Sequence, residues 1–133
     1  MHQTNFKSDL RSRVEDAKEH TSAAAAHERN VYRVVDVRDK WECRACQKKA
    51  DPNGVGLLQR AHHHHVIYRS AGGPTETWNV CLVCAGCHDE EHIKRTLQIE
   101  GNADEGLTLW RKDDHGVWYV WRREIAVGRF ERD

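Results

Sequence analysis

The chain has 133 residues and a mass of 15.4 kDa, the size of one domain or of one small domain with arms. Hydrophobic residues make up 38% and charged residues 32%, and no apolar run approaches the ~20 residues that a spanning helix needs, which excludes a membrane-spanning protein. Lys plus Arg and Asp plus Glu are equal at 21 each, which excludes nucleic-acid binding by bulk charge and leaves only a local site.

Residues 1–30 read as a helical or partly disordered arm, with Ser8 as its cap and the alanine run Ala23–Ala26 as strong helix former. The opening stretch has no apolar core of a secretory signal, so a cytoplasmic, reducing compartment is expected, in a bacterial host if the chain is virus-encoded. Val31–Val37 is β-branched and partly alternating, which predicts a strand. Trp41 leads into Cys43-x-x-Cys46. Residues 50–56 are dense in turn formers and read as a loop. Leu57–Ile67 reads as extended chain and carries four consecutive histidines, His62–His65. Ser70–Thr75 is a second loop, and Trp78–Val83 a second strand. Cys84-x-x-Cys87 follows, and then a predicted helix over His88–Ile99. Asp89, Glu90 and Glu91 complement its positive end, and Gly101 and Asn102 stop it. Leu107–Lys112 and Val117–Trp121 flank Asp113–Gly116 as a hairpin. Trp41, Trp78, Trp110, Trp118 and Trp121 are expected in the core.

Two Cys-x-x-Cys pairs are a zinc signature, because two intervening residues let one tight turn present both sulfurs to a tetrahedral ion. Cys43, Cys46, Cys84 and Cys87 are therefore candidate ligands of a structural zinc, and Cys81 reads as a buried thiol on a strand. Adjacent strand residues face opposite ways, so His64 and His65 should have different tasks. His88 and His92 stand at i, i+4 on one helical face. His64, His88 and His92 thus form a candidate three-imidazole metal site with open positions, and His65 is left to accept a proton near neutral pH. His62 and His63 read as structural or solvated, His63 sharing the face of His65.

The run His64-His-Val-Ile-Tyr-Arg-Ser-Ala-Gly-Gly73, then Trp78-Asn79, Cys84-Ala-Gly-Cys-His88 and His92, resembles the HNH endonucleases over about residues 41–99. It is similar to the cysteine-bearing, stand-alone phage members of that family. The resemblance implies an α+β fold: a ββα-metal core with a zinc-knuckle pair, carrying an N-terminal helical arm and a C-terminal β-hairpin. The divisions expected are 1–30 for the arm, 31–106 for the nuclease core and 107–133 for the hairpin and tail. It implies His65 as general base, His64, His88 and His92 as cation ligands, and Asn79 as the brace of the loop or base. Tyr68 stands where the family usually has Pro, a departure expected to matter little. Arg69 is a candidate phosphate clamp.

The implied activity is DNA phosphodiester hydrolysis to 5′-phosphate and 3′-hydroxyl ends. The implied cofactors are a structural Zn2+ and one catalytic divalent cation: Mg2+, Mn2+, Ni2+ or Zn2+. The implied partners are DNA and a phage packaging (terminase) protein or other targeting partner. Imidazole in place of the Asp or Glu that many members carry at the position of His64 favours zinc, nickel or manganese over magnesium. The alternative is a non-catalytic zinc module that binds nucleic acid or protein and retains a vestigial motif. An unligated His65 beside an open metal site favours the enzyme.

Overall fold

The computed structural model describes residues 6–50 and 60–131, with side chains described from residue 22 onward. The chain forms two compact units, Met1–Asn30 and Val31–Asp133. It opens with one long helix, α1 (Phe6–Arg38), which already contains Ser8; only its last turns belong to the second unit. The loop expected at 50–56 lies, beyond Ala50, outside the described residues.

The strand expected at Val31–Val37 is helix instead. Val31 and Val35 are buried, while Val34 and Val37 are exposed, a spacing of four that fits one helical face and not a strand. Intrinsic β-preference of valine is weak and yields to packing of this kind. The helix ends where Lys40 and Trp41 turn to left-handed backbone at φ 55° and 53°.

The rest of the second unit is α+β. Strands β1 (Ala61–His65) and β2 (Val80–Cys84) pair antiparallel, with His64 opposite Cys81 and His65 opposite Val80. Helix α2 (Ala85–Asp89) follows β2 directly and widens into a π-helical turn, Glu90–Lys94. Strands β3 (Leu97–Asn102), β4 (Gly106–Lys112), β5 (Trp118–Ala126) and β6 (Arg129–Phe130) form a four-stranded antiparallel sheet in that order. The predicted helix over His88–Ile99 is thus cut short. Arg95 at φ 55° ends the π turn, and the alternating burial of Leu97 and Ile99 is that of a strand.

β2 is buried on both faces, and its period of two divides the core. Val80 and Leu82 pack with Val31, Val35 and Ala50 at the end of α1. Cys81 and Val83 pack with the cysteine cluster and with Leu97, Ile99, Leu107 and Leu109 of the sheet. The tryptophans are core residues only in part: Trp41 and Trp121 are half-buried and pack against the two buried clusters, Trp110 is half-buried, and Trp78 and Trp118 are exposed. Arg111 and Arg122 lie 3.8 and 4.4 Å from the Trp121 ring centre, so the indole serves cations at the surface.

Arg44 joins these parts. Its buried guanidinium donates to both carboxylate oxygens of Glu124 at 3.0 and 2.6 Å, to Asp39 Oδ1 at 2.9 Å and to the Ala103 carbonyl at 2.9 Å. One side chain thereby ties the end of α1, the first cysteine turn and the sheet. Among the described residues no helix is long and apolar enough to cross a membrane.

Candidate functional site

The first cysteine pair sits on a tight turn. Gln47 N donates to Cys43 O at 2.9 Å and Cys43 N to Lys48 O at 2.8 Å, with Gln47 at φ 65°. The second pair opens α2, where Cys84 is the N-cap and its sulfur accepts from Cys87 N at 3.5 Å. The ligand atoms of Cys43, Cys46, Cys84 and Cys87 all lie within 4.8 Å of one another. A tetrahedral ion ~2.3 Å from each sulfur sets an S···S edge of about 3.8 Å. Cys46 Sγ and Cys84 Sγ are 3.7 Å apart. The all-sulfur donor set and this spacing fit a structural metal such as zinc. Hydrogen bonds among the four sulfurs push Cys46 and Cys84 down and Cys43 and Cys87 up, so that two of the thiols donate to the other two. Cys81 is buried on β2 and stands outside the cluster; burial pushes its thiol up.

β1 sorts its histidines by parity. His62 and His64 face α2 and the π turn, while His63 and His65 face α1. The rings of His64, His88 and His92 offer ligand atoms within 4.8 Å of one another. His64 Nδ1 and His92 Nε2 are 3.3 Å apart. Bonds of ~2.0–2.1 Å at tetrahedral angles would place two such nitrogens about 3.4 Å apart. Three imidazole nitrogens converging in this way fit a divalent cation with positions left open. Burial, then His92, His62 and His64, lowers His88 to about 4, and burial and His64 lower His92. Both rings are therefore held neutral, the form a cation needs. His62 stacks on His88 with ring centres 4.5 Å apart.

On the other face, His65 Nε2 accepts from Arg69 Nε at 3.3 Å and lies 2.9 Å from Thr75 Oγ1. Arg69 is only a donor, so Nε2 is the nitrogen with the lone pair, and the Thr75 hydroxyl donates to it as well. Arg69 Nη2 donates in turn to Tyr32 OH. Tyr32 stacks on His63 at 4.1 Å, and His63 Nε2 meets Asp36 Oδ1 at 2.6 Å. His63, His64, His65, Tyr68, Arg69, Ser70, His88 and His92 line one cleft of about 280 Å³.

Asn79 is fully buried and clamps the loop after β1. Its Oδ1 accepts from Ile67 N at 2.8 Å, and its Nδ2 donates to Ile67 O at 3.1 Å and to Pro74 O at 2.9 Å. The same loop needs glycine at 73, where a Cβ would stand 1.7 Å from Ile67 O. The clamp sets the turn that carries Tyr68, Arg69 and Thr75 back over β1.

A family model now bears on this arrangement. Residues 43–94 match that of the HNH endonucleases. The match spans less than half of the chain. No curated protein and no solved structure matches the chain. The matched segment contains both cysteine pairs, all four histidines of the cleft's two sites, and Asn79, Arg69 and Thr75. Tyr32 and Asp36, which reach the same histidines from α1, lie outside it, as does the four-stranded sheet.

Sequence reading missed Thr75, Tyr32, Asp36, Tyr68 and Glu91. Tyr32 and Asp36 stand at i, i+4 and adjoin Val31 and Val35, so a helical reading of that stretch would have put both on one face. Tyr68 lies at the imidazole cluster: its ring centre is 5.1 Å from that of His92 and 5.9 Å from that of His64.

Proposed function

We propose that the protein is a divalent-cation-dependent DNA endonuclease that leaves 5′-phosphate and 3′-hydroxyl ends. The observation that carries this reading is one cleft shared by a three-imidazole cluster and, on the opposite strand face, an imidazole whose lone pair is held by two donors. A binding module has no use for the second group. The β1–β2 hairpin running into α2 supports a ββα-metal core within the matched segment.

In this mechanism His64, His88 and His92 would hold the cation, and Cys43, Cys46, Cys84 and Cys87 would hold a structural zinc. A divalent cation bound at the three histidines would supply positive charge to offset the negative charge that develops on the phosphodiester. His65 Nε2 removes a proton from the attacking water, a step typically worth ~10²–10⁴-fold. Arg69 now donates to that nitrogen. A phosphate oxygen is a stronger acceptor for guanidinium than a neutral imidazole. Substrate that draws Arg69 to its phosphate, together with rotation of the Thr75 hydroxyl away from Nε2, leaves that lone pair to water. Asn79 keeps in place the loop that carries both groups.

The test is plasmid cleavage by zinc-loaded protein across Mg2+, Mn2+, Ni2+ and Zn2+. His65→Ala should abolish cleavage while leaving the fold and cation affinity intact. His88→Ala should weaken cation binding, with partial rescue by added metal. Equal loss of cation affinity in the two variants refutes this division of roles, and a wild-type protein inert with every cation favours the binding module.

A further inference from the structure

One buried carboxylate is not used by the mechanism above. Glu91 lies in the π turn, between His88 and His92 in sequence, and its side chain is 2% exposed. The two acids before it in the chain, Asp89 and Glu90, are only half-buried. A buried acid without a cation beside it needs a specific partner. Glu91 Oε2 stands 3.1 Å from His64 Nε2, within ion-pair distance, and both atoms are buried with no hydrogen-bond partner among the described residues. Glu91 Oε1 accepts from Tyr68 OH at 3.0 Å. The far nitrogen of the same ring, His64 Nδ1, is the one that faces His92.

We propose that Glu91, held by Tyr68, is the positioning carboxylate of the cation site: it accepts a hydrogen bond from Nε2–H of His64 and so leaves the Nδ1 lone pair facing the cation. The inference rests on the three-histidine reading given above. An imidazole has two tautomers, and only the one protonated at Nε2 can coordinate through Nδ1. His64 is the one ligand of the three that lies on a strand. Its choice of nitrogen is made by what stands behind the ring, and Glu91 stands there. A carboxylate in that place also raises the electron density of the ring and strengthens its bond to a cation. Tyr68 explains why the carboxylate stays put: its hydroxyl anchors the second oxygen, and its ring packs against His64 and His92. Proline at that position, as is usual in the family, could supply neither contact.

The experiment compares Glu91→Ala, Glu91→Gln, Tyr68→Phe and His64→Ala, each zinc-loaded, by two readouts that need no catalysis. The first is the long-range ¹⁵N–¹H pattern of histidine-labelled protein without the second cation, which identifies the tautomer of His64. The second is Ni2+ affinity by titration. Wild type should show His64 protonated at Nε2. Glu91→Ala should lose this single tautomer and bind Ni2+ about 10–100-fold more weakly, the usual loss when a partner of a metal-bound histidine is removed. Glu91→Gln keeps the shape and an acceptor oxygen, so it should retain the tautomer and fall between wild type and Glu91→Ala. Tyr68→Phe should show a smaller loss than Glu91→Ala. If His64→Ala loses Ni2+ while Glu91→Ala and Glu91→Gln bind as wild type, the proposal is overturned and the three-histidine site stands. If His64→Ala itself binds Ni2+ as wild type does, the site reading fails, and the role of Glu91 with it.

Discussion

Replacing Glu124 by Gln should be among the most damaging single changes in this protein, although position 124 lies far from the cleft residues in sequence. Glu124 accepts four hydrogen bonds: two from Arg44, at 3.0 and 2.6 Å, one from Leu107 N at 2.9 Å and one from Gly128 N at 2.8 Å. The side chains of Arg44 and Glu124 are 2% and 0% exposed. Gln keeps the volume but removes the charge, and its amide nitrogen must point at one of these donors. Arg44 keeps Asp39, yet Asp39 is already shared with Arg38 at 2.7 Å and with Leu82 N at 2.8 Å. Breaking a buried pair from one side typically costs ~3–5 kcal/mol, a large share of the ~5–15 kcal/mol that holds a domain. At ~4–8 °C per kcal/mol for a domain of about this size, the lower figure is a Tm drop of roughly 12–24 °C. Thermal melts followed by circular dichroism at fixed zinc concentration measure it. A variant within about 0.5 kcal/mol of wild type would refute the reasoning.

Further outcomes follow from the same contacts. Cys43→Ser should lose tightly held zinc by metal analysis and melt at lower temperature, because the four sulfurs join turns some 40 residues apart. Gly73→Ala should cut cleavage strongly while the far-ultraviolet spectrum is kept, since a methyl 1.7 Å from Ile67 O must displace the loop bearing Arg69 and Thr75. The histidines set a pH dependence with a definite sign. His88 is lowered by burial to about 4 from an ordinary ~6.5, so between these values the unfolded chain binds more protons than the folded one. The contribution of His88 to stability is therefore full above about 6.5 and is lost as pH falls toward 4. Cation binding, so far as it needs a neutral His88, should survive at pH 6 and be lost as pH falls toward 4. A Ni2+ titration series with a midpoint at or above 6.5 would contradict the lowering of His88.

Local geometry made the metal-ligand sets readable in the chain. Two residues between cysteines determine how a turn presents its sulfurs, and Cys43, Cys46, Cys84 and Cys87 meet in the structure. Three residues between His88 and His92 keep both on one side of the helical turn, and the parity of a strand separates His64 from His65. Secondary structure was readable only where one pattern had no rival. Valines at 31, 34, 35 and 37 suit a strand by preference, and only the core formed by Val80, Leu82 and Ala50 selects the helix that buries Val31 and Val35. Leu97 and Ile99 continue a plausible helix until β4 offers them a ladder to join.

The supporting groups belong wholly to tertiary structure. Glu91 is one of three successive acids, and nothing in their order tells the buried one from its neighbours. Asp36 finds His63, Arg69 finds Tyr32, and Arg44 finds Glu124 across 27, 37 and 80 positions. Ligand spacing is imposed by bonds along the chain, whereas the partner of a buried charge is whichever group packing brings within about 3 Å, and that is decided only when distant segments close on one another.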